Sequence, residues 1–270
     1  MMYYLEAIIH LIGMVVMLTN MLCQRLTLAG SHLLKGGEKM FQHKQVQELA
    51  ELEAITTEVG RVYKTPDGAF PSITTILGRL SRDDINKWRK RVGEETANKI
   101  SRTSSSRGTR IHKMCEDYIN NKKPEIRSPL DKQMFMSMQE ILDDFVGEVY
   151  GQELPLYSKH LGIAGRVDLI CEWNGKLAIV DYKTSAKIKK REWVNSYFMQ
   201  ATAYCIMYEE MTGVPVDRFV ILIGVDQEPP QTFYGKRDDN IAGLIDAIKG
   251  YYDENDLIHI NPALYGGVNP

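Results

Sequence analysis

Apolar residues occur along this chain in runs whose length and period predict a succession of helices and strands. Residues 130–149 have helical spacing. Three strand-length segments follow, 149–158, 165–173 and 176–184, rich in Val, Ile, Leu and aromatic side chains. Asn174-Gly175 joins the second to the third, and Asn-Gly is the strongest short hairpin signal a sequence offers. Residues 193–211 predict a long helix stopped by Gly213 and Pro215. Residues 217–225, apolar and β-branched, predict a central strand, and residues 238–252 a closing helix. Helix, three strands, helix, strand, helix is the order of an α/β fold with a mixed sheet flanked by helices.

The region before residue 130 is more polar. Residues 45–59, rich in Glu, Leu and Ala, predict a helix. Pro66-Asp67-Gly68 predicts a turn between short strands at residues 61–63 and around Phe70. A basic helical stretch at 83–102, a Ser/Thr-rich break at 101–106 and a helix at 107–120 complete the expectation. The division that follows is an N-terminal helical and hairpin elaboration over 40–106 and a core over 107–270.

Residues 7–24 contain no Lys, Arg, Asp or Glu over 18 positions, just long enough to be a membrane-span candidate. His10, Asn20 and Gln24 weaken that reading, and the absence of a basic leader disfavours a signal peptide. Lys35-Gly36-Gly37-Glu38-Lys39-Met40 back-translates to a purine-rich stretch followed by a start codon, like a ribosome-binding site read through as protein. Residues 1–39 are therefore expected to be a non-native upstream extension with the native start at Met40, a hydrophobic helix being the alternative. The scattered cysteines, Cys23, Cys115, Cys171 and Cys205, form no CxxC pair, which disfavours a zinc ribbon or disulfide framework and points to a reducing, cytoplasmic compartment.

Chemistry concentrates in the predicted hairpin. Asp181 and Lys183 lie two apart on the third strand and so leave the same face. Counting outward from the Asn-Gly turn pairs Trp173 with Lys176 and sets Asp168 opposite Asp181, on a shared face. A lone Asp-x-Lys on a strand is more often a pair of wet surface charges. Here apolar runs enclose both acids, Leu177 to Val180 before Asp181, and Val167, Leu169 and Ile170 around Asp168. Two carboxylates so placed repel each other unless a cation lies between them. A hard divalent ion with a lysine beside it can polarise a phosphodiester and activate water. Gly108 and His112, and Gln200 and Tyr204, each four apart, share helical faces; the glycine is expected to leave room for a close backbone approach.

Taken in order, Gly108-x-x-x-His112, Gly165-x-x-Asp168, Asp181-x-Lys183 and Gln200-x-x-x-Tyr204 resemble the motif series of RecB-like nucleases of the PD-(D/E)XK superfamily. Residues 70–77 also resemble the opening segment of phage exonucleases and the mitochondrial genome maintenance exonuclease. The resemblance implies a restriction-endonuclease-like core and an Mg²⁺-dependent exonuclease, with Mn²⁺ able to substitute. His112, Asp168, Asp181 and Tyr182 would be metal ligands, Lys183 the water-orienting or charge-stabilising group, and Gln200 and Tyr204 positioning residues. Glu153 matches a glutamate that often precedes Gly-x-x-Asp; it would orient Lys183 or reach a second metal. Relatives with an iron–sulfur cluster carry clustered cysteines, which this chain lacks, so no cluster is expected.

Net charge is −2, so nucleic-acid contacts must come from local patches. Residues 79–123 hold 13 Lys/Arg against 6 Asp/Glu, with Trp88 among them. Lys187, Lys189, Lys190 and Arg191 follow the catalytic strand, with Trp193 beyond. Basic residues interleaved with aromatics suit single-stranded DNA. No GxxxxGK[ST] phosphate loop occurs, so any motor would be a separate helicase or another replication or recombination protein. A structure-specific or flap endonuclease and a non-catalytic DNA-binding relative are the competing readings; no small-molecule cofactor is expected.

Overall fold

Two sheets organise the protein. The computed structural model describes residues 39–44 and 49–255, so the expectations for the extension 1–39 and its uncharged stretch lie outside the described residues. Among the described residues no helix is long and apolar enough to cross a membrane.

The small sheet is an antiparallel meander of β1 (Glu53–Thr57), β2 (Gly60–Thr65) and β3 (Gly68–Pro71). The turn at Pro66-Asp67-Gly68 forms as the sequence predicts, with Thr65 paired to Gly68. The helix expected over 45–59 is replaced at its end by β1. Ile55, Thr56 and Thr57 are β-branched, and pairing with β2 from Glu53↔Lys64 to Thr57↔Gly60 outweighs the weak helical propensity of the segment.

Next come α1 (Ile73–Gly78), a 3₁₀ turn, α2 (Arg82–Val92) and α3 (Glu94–Ile119). The break expected at 101–106 does not occur; α3 runs through it. Those Ser and Thr side chains are exposed, so water satisfies their hydroxyls and they need not compete with the helical backbone. The interruption lies instead at Gly93, whose φ of 87° is a conformation other residues rarely adopt. α4 (Pro129–Phe145) begins with Ser128 accepting from the Asp131 amide and Pro129 in the first turn, and ends four residues earlier than expected, where Val146 enters a strand.

The central sheet has the order β4 (Val146–Ser158), β5 (Ile163–Trp173), β6 (Lys176–Ser185), β7 (Arg218–Val225) and β8 (Gln231–Lys236). All neighbours are antiparallel except β6 and β7, which run parallel through the crossover helix α5 (Asn195–Thr212). The edge strand β8 is not foreseen by the pattern, because it is short, largely polar and preceded by two prolines. On one face, α1, α5 and α6 (Ile241–Glu254) bury Ile76, Phe198, Tyr204 and Ile248 against Ile179 and Ile221. On the other, α3 and α4 bury Ile111, Met138 and Leu142 against Leu169, Val180 and Leu222. Arg110 and Asp131 tie α3 to α4 by two hydrogen bonds of 2.8 and 3.0 Å. This is the mixed sheet flanked by helices that the element order predicts.

Candidate active site

The hairpin register follows the count from the turn, Trp173↔Lys176 through Leu169↔Val180. One further step would oppose Asp168 and Asp181, but the ladder stops at Leu169↔Val180. The Asp168 carboxylate sits where the next pair would be, its Oδ2 accepting from the Tyr182 amide at 2.7 Å. Alternation along β5 slips at the same place. Ile163 and Val167 face the α5 layer, yet Leu169, Cys171 and Trp173, with the same parity, face the α3 layer. The expectation that Asp168 and Asp181 share a face is therefore corrected: Asp168 lies at the slip and reaches α3, while Asp181 faces α5.

Across from Asp168 on β4, between the pairs Gln152↔Leu169 and Leu154↔Val167, Glu153 adopts φ 49°. A left-handed non-glycine residue in a strand is strained, and such slips cluster beside active sites. Arg166 donates to the Glu153 carbonyl and pairs with Glu51, bracing this turn of the strand. The charged neighbours of the Glu153 side chain are Asp168, Glu116, His112 and Arg166.

The predicted residues fall into two connected groups. His112, on α3, holds Nδ1 3.4 Å from Asp168 Oδ1, and its ring meets the Tyr182 ring edge-on at 5.9 Å. On the other side, Gln200 Nε2 donates to Asp181 Oδ1 at 3.0 Å and to the Tyr204 hydroxyl at 3.2 Å. Lys183 forms an ion pair with Asp181 Oδ2, an oxygen that otherwise has no hydrogen-bond donor. Asp181 is only 1% exposed. Tyr182 gives its amide to Asp168, while its phenol is enclosed in the α3 layer. Gly165 is explained by space: a Cβ there would stand 2.8 Å from Tyr204 Cε1 and 3.2 Å from Ile73 Cγ2. Gly108 is not the close approach expected, since a Cβ would meet Thr184 Oγ1 at an ordinary 3.7 Å.

Burial, opposed by Lys183 and reinforced by Asp168, pushes the Asp181 carboxyl up to about 6. Burial works against Asp168 as well, but His112, Lys183 and the Tyr182 amide hold it below the usual carboxylate range. Burial would lower His112 and Lys183; Asp168 lifts the first and Asp181 the second above their ordinary values. Burial, then Asp168 and Glu116, raises Glu153 to about 7. Neighbouring acids driven apart in this way are a mark of acid–base and metal sites.

The first basic patch is partly neutralised: Arg79 and Arg82 pair with Glu254, Arg89 with Glu94, Arg107 with Asp226, Arg110 with Asp131, and Lys113 with Glu116 and Asp117. Lys90, Arg91, Lys99 and Arg102 are exposed on α2 and the first half of α3. In the second patch Trp193 is 58% exposed, with Lys190 Nζ 5.4 Å above its ring. Cys115 and Cys171 are buried on the α3 face of the sheet and Cys205 on the α5 face. Sequence reasoning missed Tyr197 of α5, whose ring lies under Lys183, and Arg166; helical spacing from Gln200 would have pointed to the first.

Over 135 residues the chain is 28% identical to mitochondrial genome maintenance exonuclease 1 of Xenopus tropicalis, and over 149 residues 27% identical to that of Homo sapiens. These matches cover 46% and 50% of this chain but 38% and 42% of those proteins, so the chain matches about two fifths of their length. Residues 133–242 match the model of the PD-(D/E)XK nuclease superfamily, a stretch that takes in all five strands of the central sheet and the Asp168, Asp181 and Lys183 positions. This chain carries a domain of the PD-(D/E)XK nuclease superfamily.

Proposed function

We propose that the protein is a divalent-metal-dependent exonuclease that hydrolyses DNA phosphodiester bonds, preferring single-stranded ends. The observation that carries this reading is the buried Asp181–Lys183 pair beside the Asp168–His112 pair, at the point where β5 and β6 part.

The donor set suits a hard cation. It offers two carboxylates and an imidazole, and the buried Asp181 Oδ2 is met by the Lys183 ammonium. Among the described residues no three His, Cys, Asp or Glu side chains form a ready-made cage. Mg²⁺ takes one or two carboxylates and keeps several waters. Asp168, Asp181, His112 and Tyr182 would hold it, and Mn²⁺ would serve in its place. When bound, the cation polarises the phosphodiester and lowers the pKa of water.

Lys183 faces charge developing on the phosphate oxygens, or orients the attacking water. Gln200 fixes Asp181 by its Oδ1 while Lys183 meets Oδ2, and Tyr204 anchors Gln200. Glu153 adds a half-buried acid beside Asp168 that can take up or release a proton near neutrality. Single-stranded DNA tracks the exposed lysines and arginines, with a base stacked on Trp193. The names of the two relatives favour an exonuclease over an endonuclease of the same fold. A cytoplasmic role in phage or bacterial replication, recombination or DNA degradation, beside a separate helicase or recombination protein, completes the proposal.

The test is cleavage of end-labelled single-stranded DNA and covalently closed circular DNA by the full chain, with Mg²⁺ or with EDTA. Asp181→Ala and Lys183→Ala are assayed in parallel. Linear strands are expected to shorten only with metal, the circle to survive, and each variant to lose about 10²–10³-fold or more in rate. A circle cut with the same metal and site dependence makes the enzyme an endonuclease. No metal-dependent cleavage of either substrate leaves a DNA-binding protein.

A further inference from the structure

Helix α5 serves the catalytic strand with more than Gln200. Tyr197, Gln200 and Tyr204 stand at i, i+3 and i+7, on one helical face. Because α5 is the crossover between parallel strands, it returns against the direction of β6. Moving along the strand from Asp181 to Lys183 therefore means moving back along the helix from Gln200 to Tyr197. The strand step is about 6.6 Å and the helix step about 4.5 Å, a mismatch that long side chains absorb. Gln200 accordingly meets Asp181, and the Tyr197 ring centroid lies 5.3 Å from Lys183 Nζ.

We infer that Tyr197 is a positioning residue of this site, its ring holding the Lys183 ammonium against Asp181. The inference rests on the nuclease reading above. The face of an aromatic ring attracts an ammonium without offering it a third carboxylate. Lys183 is thus held on two sides, by Asp181 Oδ2 and by the ring. Its side chain is mostly buried, and the half-buried ring screens it from water. Without the ring, the ammonium can swing towards solvent. A residue that aims Lys183 acts on the chemical step and not on DNA binding, so its loss falls on kcat rather than KM.

The experiment compares Tyr197→Phe and Tyr197→Leu in the full chain, after thermal melts show that both fold. Tyr197→Met, which fills the space with a flexible chain and no ring, replaces the leucine variant if it does not fold. One readout is kcat and KM on end-labelled single-stranded DNA with Mg²⁺. The other is the NMR signal of ¹³Cε-labelled lysine, with Lys183 assigned by the peak missing from Lys183→Arg. The Lys183 signal is expected to be shifted by the ring in the wild type and in Tyr197→Phe, and to join the other lysines in Tyr197→Leu. Tyr197→Phe should keep kcat within about threefold, and Tyr197→Leu should lose about tenfold in kcat with KM unchanged. An unchanged kcat in Tyr197→Leu, a KM that rises alone, or a Lys183 signal that does not move overturns the proposal. If the wild type shows no metal-dependent cleavage, the nuclease reading fails and the role of Tyr197 falls with it; the NMR shift then reports separately whether the contact exists.

Discussion

The two motif glycines should respond to alanine with opposite sign. At Gly165 a methyl group would stand 2.8 Å from Tyr204 Cε1 and 3.2 Å from Ile73 Cγ2, in a layer where those neighbours are 2% and 0% exposed. Ordinary carbon contacts lie near 3.5–4.0 Å, so Tyr204 must shift by about 0.7 Å into a packed core. Overpacking of that kind costs about 1–3 kcal/mol. The backbone of Gly165 is not in the left-handed region, so the cost is steric and not conformational. At Gly108, inside α3, the nearest atom is Thr184 Oγ1 at 3.7 Å, an ordinary contact. Replacing a glycine inside a helix by alanine there should gain about 0.5–1 kcal/mol. Equilibrium unfolding in urea, with the slope checked for constancy, measures both. Tyr204→Ala opens space at Gly165, so a cycle of the two changes should show coupling of about 1 kcal/mol or more. Two glycines that respond alike, or a Gly165→Ala change additive with Tyr204→Ala, would refute the packing account.

Glu153 has its pKa raised to about 7, above an unfolded value of about 4.3, so the folded state loses stability as pH rises through that window. In EDTA, Glu153→Gln should match the wild type below pH ~4 and exceed it above pH 7 by about 1–2 kcal/mol, since water screens this half-buried group. A gap that does not change with pH counts against the assigned cause. Arg110→Ala leaves the buried Asp131 without its two-point partner and should cost about 2–3 kcal/mol at pH 7. Asp131 is held below its ordinary range by Arg110, so that stability is present above the unfolded pKa and should fade as pH drops below about 4. A deficit that persists in acid denaturation experiments would locate the effect elsewhere. Trp193→Ala should weaken single-stranded DNA binding by roughly 5- to 100-fold, one lost base stack, with melting temperature unchanged; fluorescence anisotropy that finds equal affinity removes Trp193 from the DNA path.

Much of this site is local and therefore legible in the sequence. Asn174-Gly175 sets the β5–β6 register, and a strand's period of two puts Asp181 and Lys183 on one face whatever surrounds them. Helical spacing places Gln200 and Tyr204 together in the same way. What local pattern mispredicts is decided at a distance. Residues 53–57 lie within a stretch of helical composition but become a strand because β2 is there to pair with them. The Ser/Thr run at 101–106 remains helical because water, and no competing partner, surrounds it. The slip at Asp168 cannot be counted from the turn, because alternation holds only while the ladder continues. At Asp168 three strands and α3 meet: Glu153 turns left-handed, Arg166 braces it, and the carboxylate takes the Tyr182 amide in place of a backbone carbonyl. The sequence alone thus determined which residues would be neighbours along each element. Tertiary structure decided that Asp168 belongs with His112 and Asp181 with Gln200 and Lys183, because burial and pairing across the sheet set side-chain direction where the regular period breaks.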